Sequence, residues 1–154
     1  ENLFDGPHIV YLHNSGGAPV LKSIARTPYG MRVDYDQDPS QTDAGVTGFR
    51  SDFTGITLNA QIFEGTAFTT QFYNTFTPID DERFVLHSRL HIKDSGSAEI
   101  NEAIGKAFTD RFMFEVEQDL KVLDYKRHLV KPRLCAGDGP IHQYRKYAAE
   151  FFVD

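Results

Sequence analysis

"FVLHSRLHI" at residues 84–92 is followed by "SGSAEINEAIGKAFTDRFMFEVEQDLKVLDYKRHL" at 95–129, and the join between them decides the fold. The first run alternates apolar and polar residues, the period of a half-buried strand. In the second run the period changes. Ile100, Ile104, Ala107, Phe108, Phe112, Val116 and Leu120 keep helical spacing, which predicts one long helix. Ser97, with acidic and polar residues behind it, suits the N-cap, and Pro132 ends the pattern.

Upstream of the join, residues 20–93 read as antiparallel β structure. "LKSIAR" and "GMRVDYD" flank "TPYG" at 27–30, a turn signal, and "DPSQTDAG" at 38–45 is a polar loop. From Phe49 to Ile79 the chain is rich in Phe, Thr, Ile and Tyr, as strands are, and "PIDDER" at 78–83 turns it back. Downstream of the long helix, Gly137, Gly139 and Pro140 predict a loop, and residues 140–152 a second short helix. Residues 1–13 read as a helix that Asn2 or Asp5 caps, with Pro7 in the first turn, and "NSGGAP" at 14–19 ends it. The expected architecture is α+β: an antiparallel sheet flanked by helices, with a long C-terminal helix packed across it and an apolar cavity between the two.

The totals narrow the function. A chain of 154 residues with 40% hydrophobic and 25% charged residues is a soluble globular chain with a real core. Its net charge of −6 and the lack of a Lys/Arg cluster argue against a nucleic-acid partner. Cys135 is the single cysteine, so the chain holds neither an internal disulfide nor a thiolate-bound metal. It reads as an ordinary buried residue with no base placed to activate it. No 18-residue apolar run, phosphate loop, G-x-S-x-G or H-E-x-x-H motif occurs. The chain opens on what reads as the middle of a motif, so we expect the C-terminal part of a longer protein, and a cytoplasmic one.

"ENLFDGPHIVYLH" at 1–13 holds the chemistry of most interest. Imidazole binds Fe, Zn, Ni and Cu. His8 and His13 are five apart, about 140° around an ideal helix, so they reach one ion only if the helix kinks or widens. Asp5 is close enough to accept the other ring N–H of His8, the usual arrangement at a metal-bound histidine. The plain alternative is that Asn2 and Asp5 are caps and the histidines core or surface groups. A third ligand must come from elsewhere, and the best candidates are on the long helix, where Glu115, Glu117, Asp119 and Asp124 offer carboxylates and most form a solvated acidic stripe. Asp119, beside Phe112, Val116 and Leu120, best fits a buried boundary. Two histidines and one carboxylate make the facial triad of non-haem Fe(II) oxygenases. His87 and His91 share one side of a strand but lack a carboxylate partner. His128 and His142 read as helix-end or surface residues.

These residues resemble a known family. Asn2, Asp5, His8 and His13, as N-x-x-D-x-x-H-x-x-x-x-H, look like the iron-binding motif in the catalytic domain of Rieske non-haem iron oxygenases. "FEVEQDLKVLDYKRHLVKPRLCAGDGPIHQYRKYAAEFF" at 114–152 and "TPIDDER" at 77–83 are similar to segments of the 3-ketosteroid 9α-hydroxylase oxygenase branch. The resemblance implies a helix-grip (START-like) fold over residues 1–154, with His8, His13 and Asp119 as ligands of Fe(II) and O2 as co-substrate. It implies that Asp5 links the iron to the [2Fe–2S] Rieske cluster of a neighbouring subunit and that Asn2 lies near the iron. It further implies a homotrimer, an NADH-dependent reductase or ferredoxin as electron source, and an apolar ring substrate such as a steroid. A Rieske cluster needs two Cys and two His, so its domain is expected before residue 1. The competing readings are a metal-free helix-grip module that carries a lipid or steroid, and a zinc hydrolase using the same three ligands.

Overall fold

The computed structural model describes residues 1–42, 45–127, 129–135 and 138–152. A 3-10 turn (Asn2–Phe4) leads into helix α1 (Gly6–Tyr11), and six strands follow: β1 (Val20–Thr27), β2 (Gly30–Asp36), β3 (Val46–Thr54), β4 (Leu58–Gly65), β5 (Thr69–Pro78) and β6 (Phe84–Ile92). Then come the long helix α2 (Ala98–Leu123) and the short helix α3 (Ile141–Ala148). The strands pair antiparallel in sequence order, each with its chain neighbour. This is the α+β arrangement that the switch of period at residues 93–97 predicts and the helix-grip fold that the resemblance implies.

Register sorts the side chains into two faces. Val33, Ser51, Gln61, Phe72 and Leu90 form one row across β2 to β6, and side chains so paired share a face. On this inner face Met31, Val33, Tyr35 and Phe49 pack with Phe4 and Tyr147 into the buried core. The Tyr147 hydroxyl donates to Gly55 O at 2.8 Å, which ties α3 to the turn after β3. Burial pushes the Tyr35 phenol up to about 12, so it stays protonated and donates to Leu3 O at 3.4 Å. On the outer face Arg32–Asp52 at 2.6 Å, Arg50–Asp34 at 2.9 Å and Lys22–Asp36 at 3.0 Å are solvent-facing pairs that add little stability.

Helix α2 grips the other half of the sheet through aromatic rings. Phe112 stacks on Phe72 with centroids 4.9 Å apart, and Phe108 meets Phe68 at 5.1 Å. Gly105 lets the helix come close, since a Cβ there would lie 2.9 Å from Ile92 Cδ1. The Ser97 hydroxyl accepts the Ile100 N–H at 3.4 Å and caps the helix as expected.

Several expectations change. α2 stops at Leu123, because the chain turns there and brings Lys126 Nζ to 3.3 Å from Glu1 Oε2. Arg145 also holds Glu1. Burial alone would raise the Glu1 carboxyl, but the bonds from Arg145 and Lys126 hold it down at about 2. Ile100 and Leu120, assigned to the apolar stripe, are 52% and 50% exposed, since the rings of Phe108 and Phe112 make the contact. The single helix expected over 1–13 is broken at Asp5, whose ψ of 87° is not helical. Cys135, expected to be buried, is exposed in the loop before α3. The expected space between sheet and α2 is filled at its β4–β5 end by Phe63, Phe68, Phe72, Phe108 and Phe112. The depressions of about 490 Å³ and 300 Å³ lie on the outer face of the sheet and between β1 and α3, and no residue of α2 lines them. His128 and Gly137 lie outside the described residues. Among the described residues, no helix is long and apolar enough to cross a membrane.

Candidate metal centre

Helix α1 is six residues long and is built to present histidines. Asp5 Oδ1 accepts the His8 N–H at 3.4 Å, and Pro7 fills a first-turn position where a missing N–H costs nothing. At the other end Leu12 N–H reaches His8 O at 2.7 Å, and His13 N–H shares that carbonyl at 3.4 Å. This i to i+5 bond widens the last turn, and Asn14 follows with φ of +53°. The widening offsets the angular gap between the histidines, whose rings meet edge to face at 5.0 Å.

Helix α2 meets this turn at several points. An Arg111 Nη2–H donates to His13 O at 2.7 Å, and Nε–H to Glu115 Oε1 at 2.6 Å. Asp119 Oδ1 lies 3.2 Å from His13 Nε2, and Asp119 Oδ2 accepts from Asn2 Nδ2 at 2.7 Å. One ligand atom each from His8, His13 and Asp119 can be chosen so that all three lie within 4.8 Å of one another.

The contacts of the two rings bear on which nitrogens are free. His8 Nδ1 faces the Asp5 carbonyl oxygen, and His13 Nδ1 faces Gln118 Oε1 at 2.9 Å. Both partners are carbonyl-type acceptors, an arrangement that favours a proton on each Nδ1 and turns both Nε2 lone pairs toward the site. His13 Nε2 and Asp119 Oδ1 are then two acceptors side by side. His13 is only 4% exposed, and among the described residues buried Asp119 Oδ1 has no hydrogen-bond donor. A cation between them relieves both. Ligands about 2.1 Å from one ion lie about 3 Å apart when adjacent, so the spacing suits a divalent metal. Imidazole, imidazole and carboxylate suit Fe(II) or Zn(II), with coordination positions left over.

The structure thus brings Asn2, His8, His13 and Asp119 together. Asp5 stands one turn from His8 and holds its ring by the backbone carbonyl, where the carboxylate was expected. The carboxylate is engaged in capping α1. Of the other acids, Glu115 is paired with Arg111, while Glu117 and Asp124 face solvent. His87 and His91 lie exposed on the outer face of β6, and His142 is exposed on α3. Sequence reasoning missed Gln118 and Arg111. The signal for Gln118 was its place beside Asp119, hidden by its resemblance to the rest of a polar stripe.

The family model described as "3-Ketosteroid 9alpha-hydroxylase C-terminal domain" matches residues 1–152. Curated relatives named "3-ketosteroid-9-alpha-monooxygenase, oxygenase component" match the whole chain. Two from Rhodococcus rhodochrous are 27% and 30% identical over 156 and 169 residues, covering 39% and 42% of their own length. One from Mycobacterium tuberculosis is 26% identical over 158 residues, covering 38% of its length. The chain therefore spans about two-fifths of the relatives it matches.

Proposed function

The chain belongs to the 3-ketosteroid 9α-hydroxylase C-terminal domain family, and from that premise we propose that it is the catalytic domain of a Rieske-type monooxygenase that hydroxylates an apolar ring compound of the steroid class. One observation carries the reading: one ligand atom each from His8, His13 and Asp119 within 4.8 Å of one another, with His13 Nε2 and Asp119 Oδ1 3.2 Å apart. His8, His13 and Asp119 are the proposed ligands of one Fe(II). When bound, Fe(II) supplies O2 activation for insertion of oxygen into a C–H bond.

The chain's own residues prepare the site. Asn2 holds Asp119 Oδ2 and so leaves Oδ1 for the metal. The Asp5 carbonyl holds the His8 ring from behind, so Asp5 is in direct hydrogen-bond contact with a ligand. We assign Asp5 the link to the electron donor on that contact. The donor itself, a [2Fe–2S] Rieske cluster, is placed outside residues 1–154, because it needs two Cys and two His and Cys135 is the single cysteine. The relatives' names, as oxygenase components, support a separate reductase or ferredoxin, and we take NADH as its electron source. A homotrimer would bring a neighbouring subunit's cluster to Asp5.

The test is metal analysis after anaerobic reconstitution with Fe(II). We expect about one iron per chain in the wild type and almost none in Asp119→Ala, with circular dichroism to check that the variant folds. An iron-free wild type would favour a metal-free steroid carrier, and full occupancy in Asp119→Ala would remove Asp119 as ligand. In the full-length oxygenase, Asp5→Asn keeps the carbonyl contact with His8 and should keep most of its iron; loss of coupled turnover would move the link from the carbonyl to the carboxylate.

A further inference from the structure

Two consecutive residues of α2 reach opposite nitrogens of one imidazole. Gln118 Oε1 is 2.9 Å from His13 Nδ1, and Asp119 Oδ1 is 3.2 Å from His13 Nε2. Neighbouring helical side chains diverge by about 100°, which is why the pair can bracket a ring inserted edge-on. Arg111, seven residues earlier on α2, grips the His13 carbonyl at 2.7 Å and holds the ring's backbone against the helix.

The bracket creates a choice. A neutral imidazole carries one proton. If it sits on Nε2, it can be donated to Asp119 Oδ1, and two of the three candidate ligand atoms are then bonded to each other. If it sits on Nδ1, Gln118 Oε1 accepts it and both ligand atoms stay free. We propose that Gln118 is the positioning residue that decides this choice: its amide oxygen holds the proton on Nδ1 and prevents a His13–Asp119 bond that would close the metal site. The inference rests on the metal-site reading above and adds to it what keeps the site open. His13 is 4% exposed, so bulk water is a poor substitute acceptor. A ligand histidine's second N–H ordinarily goes to such an acceptor, and losing it typically costs 10–100-fold in metal affinity.

The test compares Gln118→Leu, which removes the acceptor, with Gln118→Glu, which keeps one. In the metal-free wild type the imidazole 15N shifts of His13 should report a proton on Nδ1. Gln118→Glu should keep it there and bind Co(II) within a few-fold of wild type. Gln118→Leu should move it to Nε2 and weaken Co(II) about 10–100-fold. A merely structural role would not move the proton from one nitrogen to the other. Unchanged affinity and an unchanged tautomer in Gln118→Leu would overturn the proposal while leaving the ligand assignment intact. An Nε2 proton in the metal-free wild type overturns it even if Gln118→Leu fails to fold. Co(II) binding that survives Asp119→Ala would instead strike at the site assignment.

Discussion

The inner face of the sheet is two surfaces joined side by side. Over β1–β3 it is apolar, with Met31, Val33, Tyr35 and Phe49 sealed by Phe4 and Tyr147, all under a tenth exposed. Over β4–β6 it carries Asn59, Gln61, Asn74 and Ser88, with Asn74 donating to Gln61 Oε1 at 3.3 Å and accepting from the Ser88 hydroxyl at 2.6 Å. The helix on that side buries none of its residues fully. Hydrophobic burial, the main source of stability, is thus concentrated at one end. The candidate ligands lie at the seam: α1 follows Phe4 of the sealed end, and Asp119 rides on the helix of the looser one.

The sharpest way to break this contrast is to cut a ring from each side. Phe4→Ala should cost about 3–5 kcal/mol, as full burial and poor local collapse dictate. Phe112→Ala should cost clearly less, because Phe112 is only half-buried. Urea unfolding measures both, and equal losses would mean that the grip is as tight as the core. Next comes the cap. Ser97→Ala should cost about 1 kcal/mol and leave metal affinity unchanged, since the cap and Asp119 stand at opposite ends of α2. A coupled loss of metal would mean that α2 moves as a rod. The smallest effect is expected at Ser51, whose buried hydroxyl has no partner among the described residues. Ser51→Ala should be neutral or stabilising by up to about 1 kcal/mol in a thermal melt, and a clear loss would show that this row needs its polar group.

Much of this was legible because the strands are consecutive and their turns are local. "TPYG", "PIDDER" and the change of period near Ser97 each have a short-range cause, so the meander and the start of α2 could be read directly. The end of α2 could not, because it depends on Lys126 and Arg145 meeting Glu1 from the far side of the molecule. That His8, His13 and Asp119 could share one site was legible in residue type, but the orientation of His13 comes from a widened last turn that no residue in "IVYLH" announces. Gln118 was hidden for another reason: an amide in an acidic stripe gains meaning only when a ring is docked on it. Asp5 shows the reverse emphasis. Its carboxylate attracted attention, while its carbonyl does the holding.

The contact between Asn2 and Asp119 joins residues 117 positions apart, whereas every strand pairing joins chain neighbours. Closing so long a segment carries an entropic penalty that adjacent hairpins avoid. The meander can therefore assemble hairpin by hairpin while the two halves of the candidate site are still apart. An ion held by His8, His13 and Asp119 would therefore report that α1 and α2 have met.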